Sequence, residues 1–121
     1  MKRSRQDAHD HGHRAEAIAV WYLRLKGYRL LARRFKTPVG EVDLIMRKGD
    51  TTVFIEVKAR STVDQSLFAV TPSQSRRIAK AAAWYAARDD RVARGFQRFD
   101  IVAIPSYIWP THIKNAFDGI S

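Results

Sequence analysis

Cysteine is absent from the 121-residue chain, so neither disulfides nor thiolate metal sites are open to it. That absence is compatible with a reducing compartment. No apolar run approaches the roughly 18 residues of a membrane span, and the basic start Met1-Lys2-Arg3-Ser4-Arg5 leads into no apolar targeting region. A cytoplasmic protein with no membrane partner is expected. Acids are scarce as well: Asp and Glu total 12 against 22 Lys and Arg, for a formal net charge of +10. Glutamate occurs only at Glu16, Glu41 and Glu56. The cation excess points to a polyanionic partner, because each phosphate neutralised releases counterions. Charge alone leaves DNA, RNA, a ribosomal surface and an anionic membrane surface open. Length and a hydrophobic content of 45% suit one domain with a modest core.

Two of the three glutamates fall in one stretch, Gly40 to Arg60. Two apolar, β-branched runs flank Gly49-Asp50, and Gly at the first central position suits a two-residue type II′ hairpin turn. A symmetric turn sets Asp43 opposite Glu56, where Cβ atoms of partners lie roughly 4.5–5.5 Å apart and like charges repel. Alternation assigns Val42, Leu44 and Met46 to one face with Val53, Ile55 and Val57, and gives Asp43, Glu56 and Lys58 to the other. Two such carboxylates repel unless a proton or a cation joins them. Magnesium, which takes one or two carboxylates plus water and substrate phosphate, is the economical answer. The plainer alternative is a solvated hairpin face on which Lys58 neutralises the acids.

Along the rest of the chain, residues 1–9 read as a disordered basic start. Asp10 is a candidate cap for a helix running to Lys26 and stopped by Gly27. In that helix Ile18, Trp21, Tyr22 and Leu25 follow a buried-stripe spacing, so the aromatics read as core rather than as a base-stacking platform. His9, His11 and His13 alternate, which puts them on different sides of a helix and suits adventitious metal binding only. Tyr28 to Phe35 reads as a strand, residues 36–40 as a loop, and the polar segment from Arg60 to Val70 as a long functional loop. Thr71-Pro72-Ser73-Gln74 is a capping-box helix start. That helix should run to about Arg88 and be ended by Asp89-Asp90. It buries Ile78, Ala81, Ala82 and part of Tyr85, and it exposes Arg76, Arg77 and Lys80 for phosphate contacts. Phe96 to Ile104 is the next strand, closed by Pro105, and Trp109 to Ile113 a short edge strand. Asn115-Ala116-Phe117 returns an apolar anchor.

The string Gly40-Glu41-Val42-Asp43-Leu44-Ile45 with Phe54-Ile55-Glu56-Val57-Lys58 and Arg60 resembles the core signature of the YraN-like bacterial proteins. These are regarded as endonucleases of the PD-(D/E)xK superfamily related to archaeal Holliday junction resolvases. The likeness runs from about Gly12 to Phe117. It implies an α/β restriction-endonuclease-like αβββαβ core with a mixed central sheet flanked by helices, as a single domain over residues 10–121. It implies a DNA phosphodiester hydrolase acting on branched or structured DNA, with DNA favoured over RNA and a homodimer expected. By the same resemblance Asp43, Glu56 and the Val57 carbonyl hold Mg²⁺, for which Mn²⁺ substitutes, and Lys58 orients or activates water. Glu16 becomes a third acid, against the simpler reading of a pair with Arg14 or His13. Glu41 and Gln74 stand behind this set, and Arg34, Arg60, Arg76, Arg77 and Lys80 are the nucleic-acid contacts. Two positions depart from the pattern: Arg34, where asparagine is common, and Gln74, where lysine is common. They favour the alternative of a non-catalytic basic binding module on a nuclease fold. Asp100, in Arg98-Phe99-Asp100, matches a further family element and reads as a structural salt bridge.

Overall fold

A computed structural model describes residues 5–59, 63–105 and 109–117. Helix α1 (Arg5–Leu25) leads into strand β1 (Arg29–Lys36) and the hairpin β2 (Glu41–Lys48) and β3 (Thr51–Ala59). Helices α2 (Val63–Ala69), α3 (Pro72–Ala86) and α4 (Asp90–Arg94) follow, then β4 (Phe96–Ile104) and β5 (Thr111–Ile113). The strands form one sheet in the order β1-β2-β3-β4-β5, antiparallel except for the β3–β4 pair. That parallel step needs a long crossover, which α2, α3 and α4 provide. The α/β class and the mixed sheet are as expected and consistent with a restriction-endonuclease-like core. No helix among the described residues is long and apolar enough to cross a membrane.

One sheet face carries Leu44, Met46, Val53, Ile55 and Val102 against Ala19, Val20 and Leu23 of α1. The opposite face carries Ile45 and Phe54 against Ile78, Ala81 and Ala82 of α3 and Val92 of α4. Val42 belongs to this second cluster, not with Leu44 and Met46 as strict alternation implies. The β2–β3 ladder runs from Lys48↔Thr51 to Leu44↔Ile55. Beyond that pair β2 leaves regular pairing and its side chains change phase, which brings Val42 under α3.

Helix α1 starts at Arg5 rather than Asp10 and buries a different stripe from the expected one. Ala15, Glu16, Ala19, Val20 and Leu23 face inward, while Ile18, Trp21 and Leu25 are 36%, 51% and 65% exposed. Alanines let the helix axis approach the sheet more closely than indole rings would, and close packing rewards that approach. The expected loop after Arg60 contains α2 instead. Helix α3 starts on the predicted capping box, with Gln74 N–H donating to Thr71 Oγ1 at 3.1 Å and Thr71 N–H donating to Gln74 Oε1 at 3.4 Å. It ends at Ala86, and Asp89 caps α4 by accepting from the Arg91 N–H at 3.0 Å.

Two glycines fix the hairpin. Gly49, at φ +62°, takes the left-handed corner of the two-residue turn and so sets the register. Gly40 lies against α3, where an added Cβ would overlap the Arg77 carbonyl oxygen. Its N–H also donates to Thr37 Oγ1 at 2.9 Å, tying the preceding loop to the start of β2. Gly40→Ala is expected to cost about 1–3 kcal/mol by forcing the helix away. Gly12→Ala, where an added Cβ meets nothing within 4 Å, should gain about 0.5–1 kcal/mol as a helical Gly replacement. Urea unfolding of the two variants checks the contrast, and equal midpoints would contradict the close approach at Gly40.

Candidate active site

Asp43 and Glu56 are the next residues beyond the last ladder pair, Leu44↔Ile55, so the cross-strand placement read from the turn is observed. In a continuing ladder the Val57 N–H would donate to a β2 carbonyl. It donates instead to Asp43 Oδ2 at 2.8 Å. The end of backbone pairing is thus what admits a carboxylate between the strands. An extended residue points its N–H and C=O toward the same neighbour, so the Val57 carbonyl also faces β2.

Glu56 is half-buried, and its carboxyl is held well above the usual carboxylate range. Burial is the main cause, followed by the hydrogen bond to Asp43 and the charge of Asp43; Lys58 opposes these and Glu41 adds to them. At neutral pH Glu56 therefore keeps a proton and shares it with Asp43. Lys58 is half-buried two residues along the same strand.

A recess of about 80 Å³ opens on the α3 side of the pair, lined by Asp43, Glu56, Gln74 and Arg77 among others. A larger cleft of about 350 Å³ opens toward α1, lined by Gly12, His13, Glu16, Arg34 and Lys36. Both cavities share Glu41, Val42 and Asp43, so the start of β2 is the ridge between them. Glu41 is exposed and pairs with Arg77 at 3.6 Å. Gln74 serves the helix cap and lines the recess at once.

Glu16 lines the larger cleft together with Asp43 of the carboxylate pair. Its Oε1 meets Arg34 at 3.1 Å and Arg33 at 3.9 Å, two β1 arginines that the reading of a pair with Arg14 or His13 does not name. Arg34 stands between the pairs Arg33↔Leu44 and Phe35↔Val42, opposite Asp43, with a left-handed φ of +47°. Asparagine, the residue that the resemblance implies here, tolerates that conformation better than arginine. Among the described residues, no three Asp, Glu or His side chains gather as a cation cage. A metal here would rest on two carboxylates and a backbone carbonyl.

Arg76, Arg77 and Lys80 are exposed on α3 as expected. Arg60 lies outside the described residues, as do the side chains of His9 and His11. Asp100 is structural: it is fully buried and accepts two-pronged bonds from Arg98 at 2.8 and 2.9 Å, His112 Nε2 at 2.6 Å and the Asn115 N–H at 2.9 Å. These bonds hold its carboxyl below the usual range although burial pulls the other way. His13 and Lys36 were missed as cleft residues. The only signal for Lys36 is its pairing with Glu41, which depends on the β1–β2 register.

The family model described as "Uncharacterised protein family UPF0102" matches residues 15–104. The chain belongs to that family. It is 48% identical over 114 residues to a UPF0102 protein of Chelativorans sp., covering 94% of this chain and 92% of that protein. It is 47% identical over 116 residues to one of Mesorhizobium japonicum, covering 96% and 93%. A third, from Parvibaculum lavamentivorans, is 47% identical over 106 residues, covering 88% of this chain and 80% of that protein. The UPF0102 match takes in Glu16, the hairpin, α3 and β4, whereas Trp109 and His112 lie beyond it.

The shared proton has a cost that thermal unfolding can read. Because the folded state holds the Glu56 proton more tightly than the unfolded chain, the associated stability is complete below the ordinary glutamate pKa of about 4.3. It is lost as pH rises through the folded value. Glu56→Gln is expected to stabilise the metal-free protein at neutral pH by about 1–2 kcal/mol, with the gap closing toward acid. A destabilised variant at neutral pH would contradict the shared proton.

Proposed function

We propose that this UPF0102 protein is a metal-dependent nuclease that hydrolyses DNA phosphodiester bonds at branched or otherwise structured sites. The observation carrying the reading is the Asp43–Glu56 pair, two carboxyl groups in hydrogen-bond contact at the point where two strands part, with Lys58 beside them. The donor set fits magnesium. Two carboxylates and the Val57 carbonyl are hard oxygen ligands, too few to close a cage, and they leave room for water and a substrate phosphate. Mn²⁺ is expected to substitute.

Bound there, a divalent cation would supply a water of lowered pKa and offset charge growing on the phosphate. Asp43 keeps its orientation through the Val57 N–H, and Asp43 and Glu56, the latter without its proton, would be the carboxylates that hold the cation. Lys58 orients the attacking water or the scissile phosphate. Glu16 stands in reserve across the larger cleft, restrained by Arg34. Arg34 and Lys36 in that cleft, and Arg76, Arg77 and Lys80 on α3, provide phosphate contacts, with Arg60 continuing the set. DNA as partner and paired sites in a homodimer come from the YraN-like and resolvase resemblance. A second reading, a basic binding module without chemistry, is favoured by Glu16 being held to Arg34 and by Gln74 being used as a cap.

Incubation of plasmid, duplex and four-way-junction DNA with Mg²⁺ or Mn²⁺ separates the two. Cleavage is expected only with metal, reduced about a hundredfold or more in Asp43→Asn and in Lys58→Ala, with DNA binding kept. Binding to these DNAs with no cleavage under either metal would leave the binding module.

A further inference from the structure

Of the α1 stripe that sequence periodicity assigns to the core, Ile18, Trp21 and Leu25 are on the surface, while Tyr22 is half-buried against the core. Trp21 is 51% exposed, Leu25 65%, and Trp109, from the segment before β5, 64%. The Trp21 and Trp109 rings meet edge-to-face, with centroids 5.8 Å apart and planes at 71°. Tyr22 meets Trp109 in the same way at 6.2 Å. An edge-to-face set fixes the orientation of each ring while leaving indole surface open to solvent.

Cations border this patch. Lys26 Nζ lies 5.3 Å from the centre of the Tyr22 ring and 2.8 Å from His112 Nδ1. The Lys26 ammonium is held below its usual pKa, by burial first and then by the charges of Lys114 and Lys48. Asp100, the acid nearest to it in effect, is already engaged by Arg98 and His112. Arg14 and Arg24 lie on the outward side of α1, and Glu16, the one acid between Arg14 and Lys26, points inward.

We propose that Trp21, Tyr22 and Trp109 form a stacking platform for unpaired bases of a nucleic-acid strand, whose phosphates are held by Lys26, Lys114 and Arg24. Stacking on exposed aromatics beside a cationic track is how single strands are bound without sequence preference. A second copy of this chain fits less well, because an isologous contact would bring these lysines against their own equivalents.

The sheet register relates the platform to the carboxylate pair. Lys58 pairs with Ala103, and Ala103 with Thr111, so Thr111 is in the same row as Lys58, about 10 Å away at two strand spacings. Trp109 precedes Thr111, at the same end of the sheet as Glu56 and Lys58. A strand lying on the platform therefore leads toward that end. This inference rests on the proposed nucleic-acid partner and narrows it to substrates that combine duplex with an unpaired segment.

The test is fluorescence anisotropy in EDTA, where cleavage plays no part, with a labelled oligothymidylate and a labelled duplex of equal length. Trp21→Ala/Trp109→Ala is expected to weaken single-strand binding about tenfold or more, while duplex binding changes less than about twofold because it rests on phosphate contacts. Trp109→Phe, which keeps a ring, should stay within about threefold of the wild type. Tryptophan emission of a Trp84→Phe protein should be quenched by oligothymidylate, since Trp84, stacked on Arg88, is the one tryptophan outside the platform. Equal losses on both probes, or none, would overturn the platform, as would a wild-type dimer that the double alanine variant converts to monomer in sedimentation. Wild-type protein that binds neither probe would sink the nucleic-acid reading itself. Retained single-strand quenching in a protein that cleaves nothing would support the platform and count against the nuclease alone.

Discussion

Two carboxyl groups on neighbouring strands repel at neutral pH, and a fold that sets them together must hold a proton or a cation between them. In this protein the backbone ladder of the central hairpin stops one pair short of Asp43 and Glu56. A backbone N–H that the ladder would have used goes to Asp43 instead, and Glu56 answers by keeping its proton. The local instability is confined to a point where strand pairing has already ended. Function and stability are thus opposed at one place rather than across the sheet.

The surrounding structure makes that arrangement tolerable. The Gly49 corner fixes the register that sets the pair face to face, and Gly40 presses the start of β2 against α3. Small residues on α1 close the other face. Away from the pair, Asp100 gathers Arg98, His112 and the Asn115 backbone into a fully satisfied buried network, and Arg98 reaches the Tyr28 hydroxyl at 2.7 Å. This network ties β4, β5 and the α1–β1 junction together, and its charges are compensated where those of the hairpin pair are not.

What the sequence disclosed was local. The turn residues around Gly49 set the register and hence the pairing of Asp43 with Glu56, and Thr71 to Gln74 announced their helix by a capping box. What it hid depended on tertiary contact. Helix α1 carries apolar residues on two sides, so periodicity allowed both the stripe containing Trp21 and the one containing Ala19, and only the sheet chooses the slimmer. The change of phase at Val42 follows from the end of a ladder, which no composition reveals. Two partners of Asp100, His112 and the Asn115 N–H, lie 12 and 15 residues farther along the chain, and Glu16 meets Arg34 only because α1 packs against β1. The short helices α2 and α4 fall below the length at which periodicity speaks.

The claim that a metal replaces the shared proton is tested most directly by titrating Mn²⁺ and Mg²⁺ into the protein by calorimetry in buffers of different ionisation enthalpy. An Asp43→Ala/Glu56→Ala variant of verified fold serves beside it. The account predicts saturable binding that releases about one proton per metal at neutral pH, tightens as pH rises, and vanishes in the variant. Binding without proton release, or the same binding in both proteins, would contradict it.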